Sequence, residues 1–385
     1  MRQSQDPSRA EDQAADAAAW ITATYRVRAD ATAIEARARA IAVEQSVEMP
    51  VEAIEDAAVL REVVGRVQAI EARGAGVYDV RIALAVATAG GEAGQLLNML
   101  FGNSSIQDDV ALQAIELPAA LARRFGGPRH GLDGLRARVG AGRRALTCSA
   151  LKPQGLPPAR LAALAGRLAL GGIDYIKDDH GLADQAYSPF AERVPAVARA
   201  VAEASAATGK PTRYVPSLAG TLDDMRGQVA LARDHGVDAV LVAPMVAGVA
   251  SFHALVRENP GTAFLAHPAL AGACRMAPEA QFGTLFRLLG ADGLVYPNHG
   301  GRFGYSADTC RAIAAAALRP WHGLAPALPI PAGGMTLDRV PEILEFYGPD
   351  VMLLIGGSLL AARERLVEET AAFVRAVEGA RPPGA

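Results

Sequence analysis

From residue 145 onward the chain repeats one pattern eight times: a short apolar run, a polar or glycine-bearing connection, then a stretch with apolar residues three and four apart. The apolar runs are strand-sized, and the stretches between them have the period of helices that bury one face on a sheet. Strands are expected at 145–151, 173–177, 212–215, 239–243, 263–267, 293–296, 328–332 and 351–355, with helices such as 158–170, 222–234, 278–289, 307–318 and 337–347. Strict strand–helix alternation requires parallel pairing, and eight units in about 230 residues match a (β/α)8 barrel. A doubly wound open sheet would give the same alternation, so closure is left to the structure.

The first third of the chain has a different texture. Strand-like stretches (21–27, 77–86) mix with helical ones (31–44, 91–101), which suggests a compact α+β unit, and the glycine- and arginine-rich stretch 123–144 reads as an irregular linker. The expected organisation is a disordered N-terminus (1–19), an α+β domain (20–125), a linker (126–144), a barrel (145–378) and a solvated tail from Arg381 to Ala385. With 38 Lys plus Arg against 41 Asp plus Glu, the net charge of −3 offers no field for nucleic acid or a membrane surface. The longest uncharged apolar run, 239–250, is broken by Pro244 and Gly248 and is shorter than the roughly 18 residues that span a bilayer. Cys148, Cys274 and Cys310 are far apart and lack any Cys-x-x-Cys spacing, so neither a disulfide framework nor a zinc site is expected. Free thiols and the absence of a signal-like apolar segment near Met1 point to the cytoplasm.

In a barrel of this kind chemistry sits at the C-terminal ends of the strands. The second strand ends Lys177-Asp178-Asp179-His180. Alternation along a strand puts Lys177 and Asp179 on one side and Asp178 on the other. The group is either a surface ion-pair cluster or a Mg²⁺ site, and the latter needs Lys177 to be a carbamate, because an ammonium repels the ion. His180 would then be a third ligand or a general base. Two turns, Gly333-Gly334 and Gly356-Gly357, end strands seven and eight, where exposed N–H groups suit a phosphate. Lys152 ends strand one and His267 ends strand five, either as site residues or as a solvated lysine and a core histidine; the loop after strand six carries His299 and Arg302 among glycines and is either a lid that brings Arg302 to a phosphate or carboxylate or an ordinary connection.

Together these features resemble the large-subunit family of ribulose-bisphosphate carboxylase/oxygenase, and specifically its RuBisCO-like (form IV) branch. The resemblance runs from about residue 21 to 366 and rests on Gly171-Gly172-Ile173-Asp174 leading into Lys177-Asp178-Asp179, on Lys152-Pro153, on His267 and on both glycine turns. It implies an obligate homodimer, Mg²⁺, and CO2 bound as a carbamate on Lys177, with Asp179 a metal ligand. It further implies that Lys152 handles protons at the substrate carbons, that His267 closes strand five, and that Gly333, Gly334, Gly356 and Gly357 bind phosphate. Glu44 and Asn103, in segments similar to the family's acidic and asparagine segments, would reach the neighbouring subunit's site.

The departures carry information too. His180 stands where the carboxylases have a metal-binding glutamate, Pro268 where they have a phosphate-binding arginine, and Met49 where they have a threonine. The loop after strand six contains no lysine, the group that holds CO2 during carboxylation. What the resemblance then implies is enolisation of a phosphorylated ketose without CO2 fixation. The first expectation is an isomerase or enolase of the 5-methylthioribulose 1-phosphate type, in methionine salvage. A decarboxylase of a 3-oxo sugar-acid phosphate, such as 3-oxo-isoapionate 4-phosphate, with Arg302 or His299 on the substrate carboxylate, is the alternative. A silent sugar-phosphate-binding homologue is a third reading, and the joint presence of Lys152, Lys177 and Asp179 argues against it.

Overall fold

The computed structural model describes residues 19–379. The expected disordered N-terminus up to residue 18 and the solvated tail from Arg381 to Ala385 lie outside the described residues. Two sheets organise the rest. The first is antiparallel, ordered β2-β3-β1-β4, from β1 (Trp20–Arg28), β2 (Arg66–Gly74), β3 (Val77–Ala85) and β4 (Val110–Glu116). β1 alternates as a half-buried strand should, with Ile21, Ala23, Tyr25 and Val27 inward. β2 and β4 escaped the sequence reading. β2 (Arg-Val-Gln-Ala-Ile-Glu-Ala-Arg-Gly) is charged and mostly exposed, so it lacks the apolar signal of a buried strand.

The second sheet contains β5 (Leu146–Leu151), β6 (Tyr175–Asp178), β7 (Arg213–Val215), β8 (Ala239–Val242), β9 (Ala263–Ala266), β10 (Gly293–Pro297), β11 (Leu328–Ala332) and β12 (Met352–Leu354). All its pairings are parallel, in the order β7-β6-β5-β12-β11-β10-β9-β8. The seam between β7 and β8 is joined by Leu241 N–H donating to Pro216 O and Leu218 N–H donating to Leu241 O, both 2.8 Å. That ladder closes the barrel and removes the open-sheet alternative. Each of the eight expected strands is present, displaced by two residues at most at either end.

The stretch expected to be an irregular linker contains the helix Gly131–Ala137. Its Leu132 and Leu135 join the interior side chains of the barrel strands in one buried cluster. Tyr175 Oη, from β6, donates to Leu135 O at 2.7 Å. Gly131 is required at the turn into this helix: its φ is +54°, and a Cβ there would stand 2.4 Å from Pro326 O. The helix is a plug for the N-terminal end of the barrel; its two glycines and lone pair of leucines within seven residues hid it from a periodicity reading. The segment 278–289 is helical as expected but wound as a π-helix over Glu279–Phe286. β4 docks the N-terminal domain on the barrel through Leu112, whose N–H donates to Arg275 O at 2.9 Å and whose carbonyl accepts from Ala277 N–H at 2.8 Å.

Candidate active site

Strand alternation sorts the two aspartates of β6 and the residue after it. Asp178 points outward into the layer between strand and helix, where it accepts from Tyr214 Oη (2.8 Å), Arg193 Nε (3.2 Å) and Ser217 N–H (3.2 Å). Both Asp178 and Arg193 are wholly buried, and burial pushes the Asp178 carboxyl up while Arg193 pulls against it. Every oxygen of Asp178 is thus spent on the fold. Lys177 and Asp179 face the other way, into a cavity of about 770 Å³ at the C-terminal mouth of the barrel.

The side chains that sequence reasoning singled out on β5, β6 and β9 meet there. Lys152, just past β5, is ion-paired with Asp179 Oδ2, and His180 Nδ1 lies 2.8 Å from Asp179 Oδ1. Burial raises the Asp179 carboxyl, but the His180 and Lys152 hydrogen bonds outweigh it and hold the group well below the usual carboxylate range. The His180 and His267 rings stack at 4.3 Å and 7°. Ala269 N–H donates to His267 Nδ1 at 3.1 Å, which puts the His267 proton on Nε2. Burial, with Lys177 and His180 adding to it, pushes His267 down to about 2, so the ring is neutral at physiological pH.

Lys177 is 4% exposed, makes no ion pair among the described residues, and donates only to Asp178 O at 2.8 Å. Burial pushes its amine below the ordinary lysine value. A buried ammonium with one acceptor is poorly solvated, whereas the neutral amine is a nucleophile. Among the described residues no group of three or more His, Cys, Asp or Glu is arranged to hold a metal ion. The donors at this spot are one carboxylate, one imidazole and one buried amine. They suit Mg²⁺ when the amine is carbamylated, since that supplies the second anionic oxygen the ion prefers.

The two glycine turns also line this cavity. Gly333 and Gly334 have φ of +86° and +72°, and a Cβ on Gly334 would stand 2.9 Å from Gly301 Cα, so loop six rests directly on the turn after β11. No heavy atom lies within 4 Å of where a Cβ would be on Gly356 or Gly357, which leaves their backbone open. Ser358 Oγ donates to Met335 O at 2.8 Å and ties the two turns together. Arg302 lines the cavity, its guanidinium 4.8 Å above the Phe303 ring. His299 does not: it packs on Phe346 at 4.5 Å, outside the lining.

Glu44 and Asn103 also lie outside this cavity, but they meet each other. Asn103 Nδ2 donates to Glu44 Oε1 (2.8 Å) and Glu48 Oε1 (3.2 Å) on the exposed face of the N-terminal domain. Gln45 holds the two segments together: its Nε2 donates to Met99 O at 2.8 Å and its Oε1 accepts from Ser104 N–H at 3.1 Å. Leu270, Phe303, Tyr305 and Thr336 line the cavity without having been singled out. Thr336 follows a recognised glycine turn closely enough to have been found; Leu270 carries no sequence signal at all.

Comparison with known proteins agrees with this geometry. Residues 131–378 match the family described as "Ribulose bisphosphate carboxylase large chain, catalytic domain". The chain is 64% identical over 365 residues to a protein of Rhodospirillum rubrum named 5-methylthioribulose-1-phosphate isomerase, covering 94% of this chain and 98% of that one. It is 32% identical over 310 residues to a 2,3-diketo-5-methylthiopentyl-1-phosphate enolase of Geobacillus kaustophilus, covering 78% and 74%. The crystal structure of a Rubisco-like protein from Rhodopseudomonas palustris superimposes with a TM-score of 0.88 at 56% identity, covering 95% and 99%. No helix among the described residues is long and apolar enough to cross a membrane. The chain thus belongs to the ribulose bisphosphate carboxylase large-chain family, in its RuBisCO-like branch.

Proposed function

We propose that the protein is a Mg²⁺-dependent isomerase of a ketose 1-phosphate, of the 5-methylthioribulose 1-phosphate type in methionine salvage, and not a CO2-fixing carboxylase. The observation that carries this reading is a buried Lys177, without an ion-pair partner among the described residues, beside Asp179 in a cavity that two glycine turns also line. The 64% identity to a protein named as that isomerase supports the substrate class, and the 32% identity to an enolase supports it less strongly for the enolase reaction. The loop after β10 carries no lysine to hold CO2.

Lys177, as its carbamate, and Asp179 would hold the ion; bound there it supplies the positive charge that stabilises an enediolate. The protein's own groups do the rest. The open amides at 333–334 and 356–357 receive the single phosphate and fix the carbonyl end of the substrate at Lys177 and Asp179. His180, its Nδ1–H donated to Asp179, presents Nε2 as the acceptor for the proton on the carbon next to the carbonyl. His267, neutral, donates a hydrogen bond from Nε2; the Lys152 ammonium gives its proton to the other carbon, the proton of the neighbouring hydroxyl passes to the former carbonyl oxygen, and the proton taken by His180 returns to Lys152, both being partners of Asp179, which completes the isomerisation. Glu44 and Asn103 complete the neighbouring subunit's site in a homodimer. The protein acts in the cytoplasm.

The assay is turnover of 5-methylthioribulose 1-phosphate after chelation and re-addition of Mg²⁺, with ¹³C-bicarbonate present for NMR. Activity is expected only with Mg²⁺, together with a carbamate resonance that is absent from Lys177→Ala. Full activity without the ion, or in the variant, contradicts the assignment.

A further inference from the structure

Beside the charged groups and glycine turns already described, the cavity is lined by an apolar turn after β9, Pro268, Ala269 and Leu270, and by two aromatic residues of the loop after β10, Tyr305 and Phe303, the latter with its ring against Gly333. The turn carries no charged side chain; Pro268 has no N–H, Ala269 N–H is used by His267 Nδ1, and Ala271 N–H is used by Pro268 O at 3.0 Å. Leu270 and Phe303 are nevertheless 59% and 57% exposed, two of the eight large apolar side chains left open to solvent among the described residues, and both line this same cavity. Leu270 also has a φ of +64°, a conformation that glycine or asparagine adopts more readily than leucine. A leucine kept in that backbone and turned to water is explained by a ligand that covers it.

We infer that Leu270 is the specificity-determining contact for the end of the substrate remote from its phosphate, and that it selects an apolar thioether-bearing terminus over a hydroxyl or a second phosphate. This rests on the ketose 1-phosphate reading above. Its physical basis is burial: the terminus and the leucine leave water together, and no charged side chain on this turn compensates a polar terminus for the water it would lose. Arg302, the residue before Phe303, holds its guanidinium 4.8 Å from the centre of that ring.

The test is kcat/KM for wild type, Leu270→Asn and Leu270→Met on 5-methylthioribulose 1-phosphate and on 5-deoxyribulose 1-phosphate, which lacks only the methylthio group. Asparagine tolerates the positive φ, so Leu270→Asn keeps the backbone while removing the apolar surface, and methionine restores that surface. Wild type is expected to prefer the methylthio substrate about tenfold or more. In Leu270→Asn that preference should collapse through KM with kcat retained, and Leu270→Met should recover it. Equal loss on both substrates, or an unchanged preference, overturns the assignment. So does a change in oligomeric state by light scattering without a change in preference, which would make a second copy of the chain the occupant. Wild type inactive on both substrates would instead overturn the ketose 1-phosphate reading itself.

Discussion

The two ends of the barrel use the same residue types to opposite effect. At the N-terminal end, Asp174 accepts from Arg144 through both oxygens (2.6 and 2.7 Å) and from Thr147 N–H and Oγ1, and Asp292 accepts from the N–H groups of His130, Gly131 and Phe264. At the C-terminal mouth, Lys177 has no ionic partner, His180 has Nε2 free of any protein partner recorded among the described residues, and Asp179 binds groups that themselves face a cavity. Burial is common to both ends. What separates stability from chemistry is whether the buried group's bonding capacity is used up by the fold.

Substitutions should separate the two ends cleanly. Lys177→Ala is expected to lower kcat about 10³-fold or more while the thermal transition stays cooperative; an active variant would erase the distinction. Asp174→Asn, at the other end, leaves Arg144 half-paired and should cost about 3 kcal/mol in urea unfolding with kcat per folded molecule unchanged. A fall in kcat there would mean that the floor is coupled to the chemistry. Gly334→Ala combines a φ of +72° with a 2.9 Å approach to Gly301 Cα and should cost about 1–3 kcal/mol in stability. It should also raise KM about tenfold, the equivalent of one weakened hydrogen bond to a charged phosphate.

A smaller effect follows from His267. Burial holds it near 2 in the folded state against an ordinary 6.5, so between these pH values the unfolded chain binds the extra proton and stability falls as pH drops. Relative to His267→Asn, the wild type should lose stability from pH 6.5 downward, by at most about 1.4 kcal/mol per pH unit. A stability difference that is flat between pH 7 and 5 would show that His267 is not held neutral.

The barrel was legible because eight buried strands flanked by amphipathic helices leave an unmistakable period, and the β6 cluster because alternation alone assigns Lys177 and Asp179 to one face. The glycine turns were legible because their places after the seventh and eighth strands follow from counting. Other features depend on contacts between segments distant in sequence. The plug Gly131–Ala137 looks like a basic linker until the barrel floor is there to receive Leu132 and Leu135. His299 and Arg302 share one loop and one chemistry, and only the packing of His299 on Phe346 tells them apart. Leu270 is one of many leucines in the sequence; its φ and its exposure in the cavity exist only in three dimensions.

The central claim is proton transfer at carbon with no net exchange of CO2. Incubation of the Mg²⁺- and bicarbonate-treated protein with 5-methylthioribulose 1-phosphate in D2O, followed by ¹H and ¹³C NMR, reads it directly. The account predicts an isomeric ketose phosphate, solvent deuterium at a carbon that flanks the carbonyl, and neither carboxylated product nor released CO2. Incorporation or release of CO2, or a substrate left unchanged with no deuterium, would contradict it.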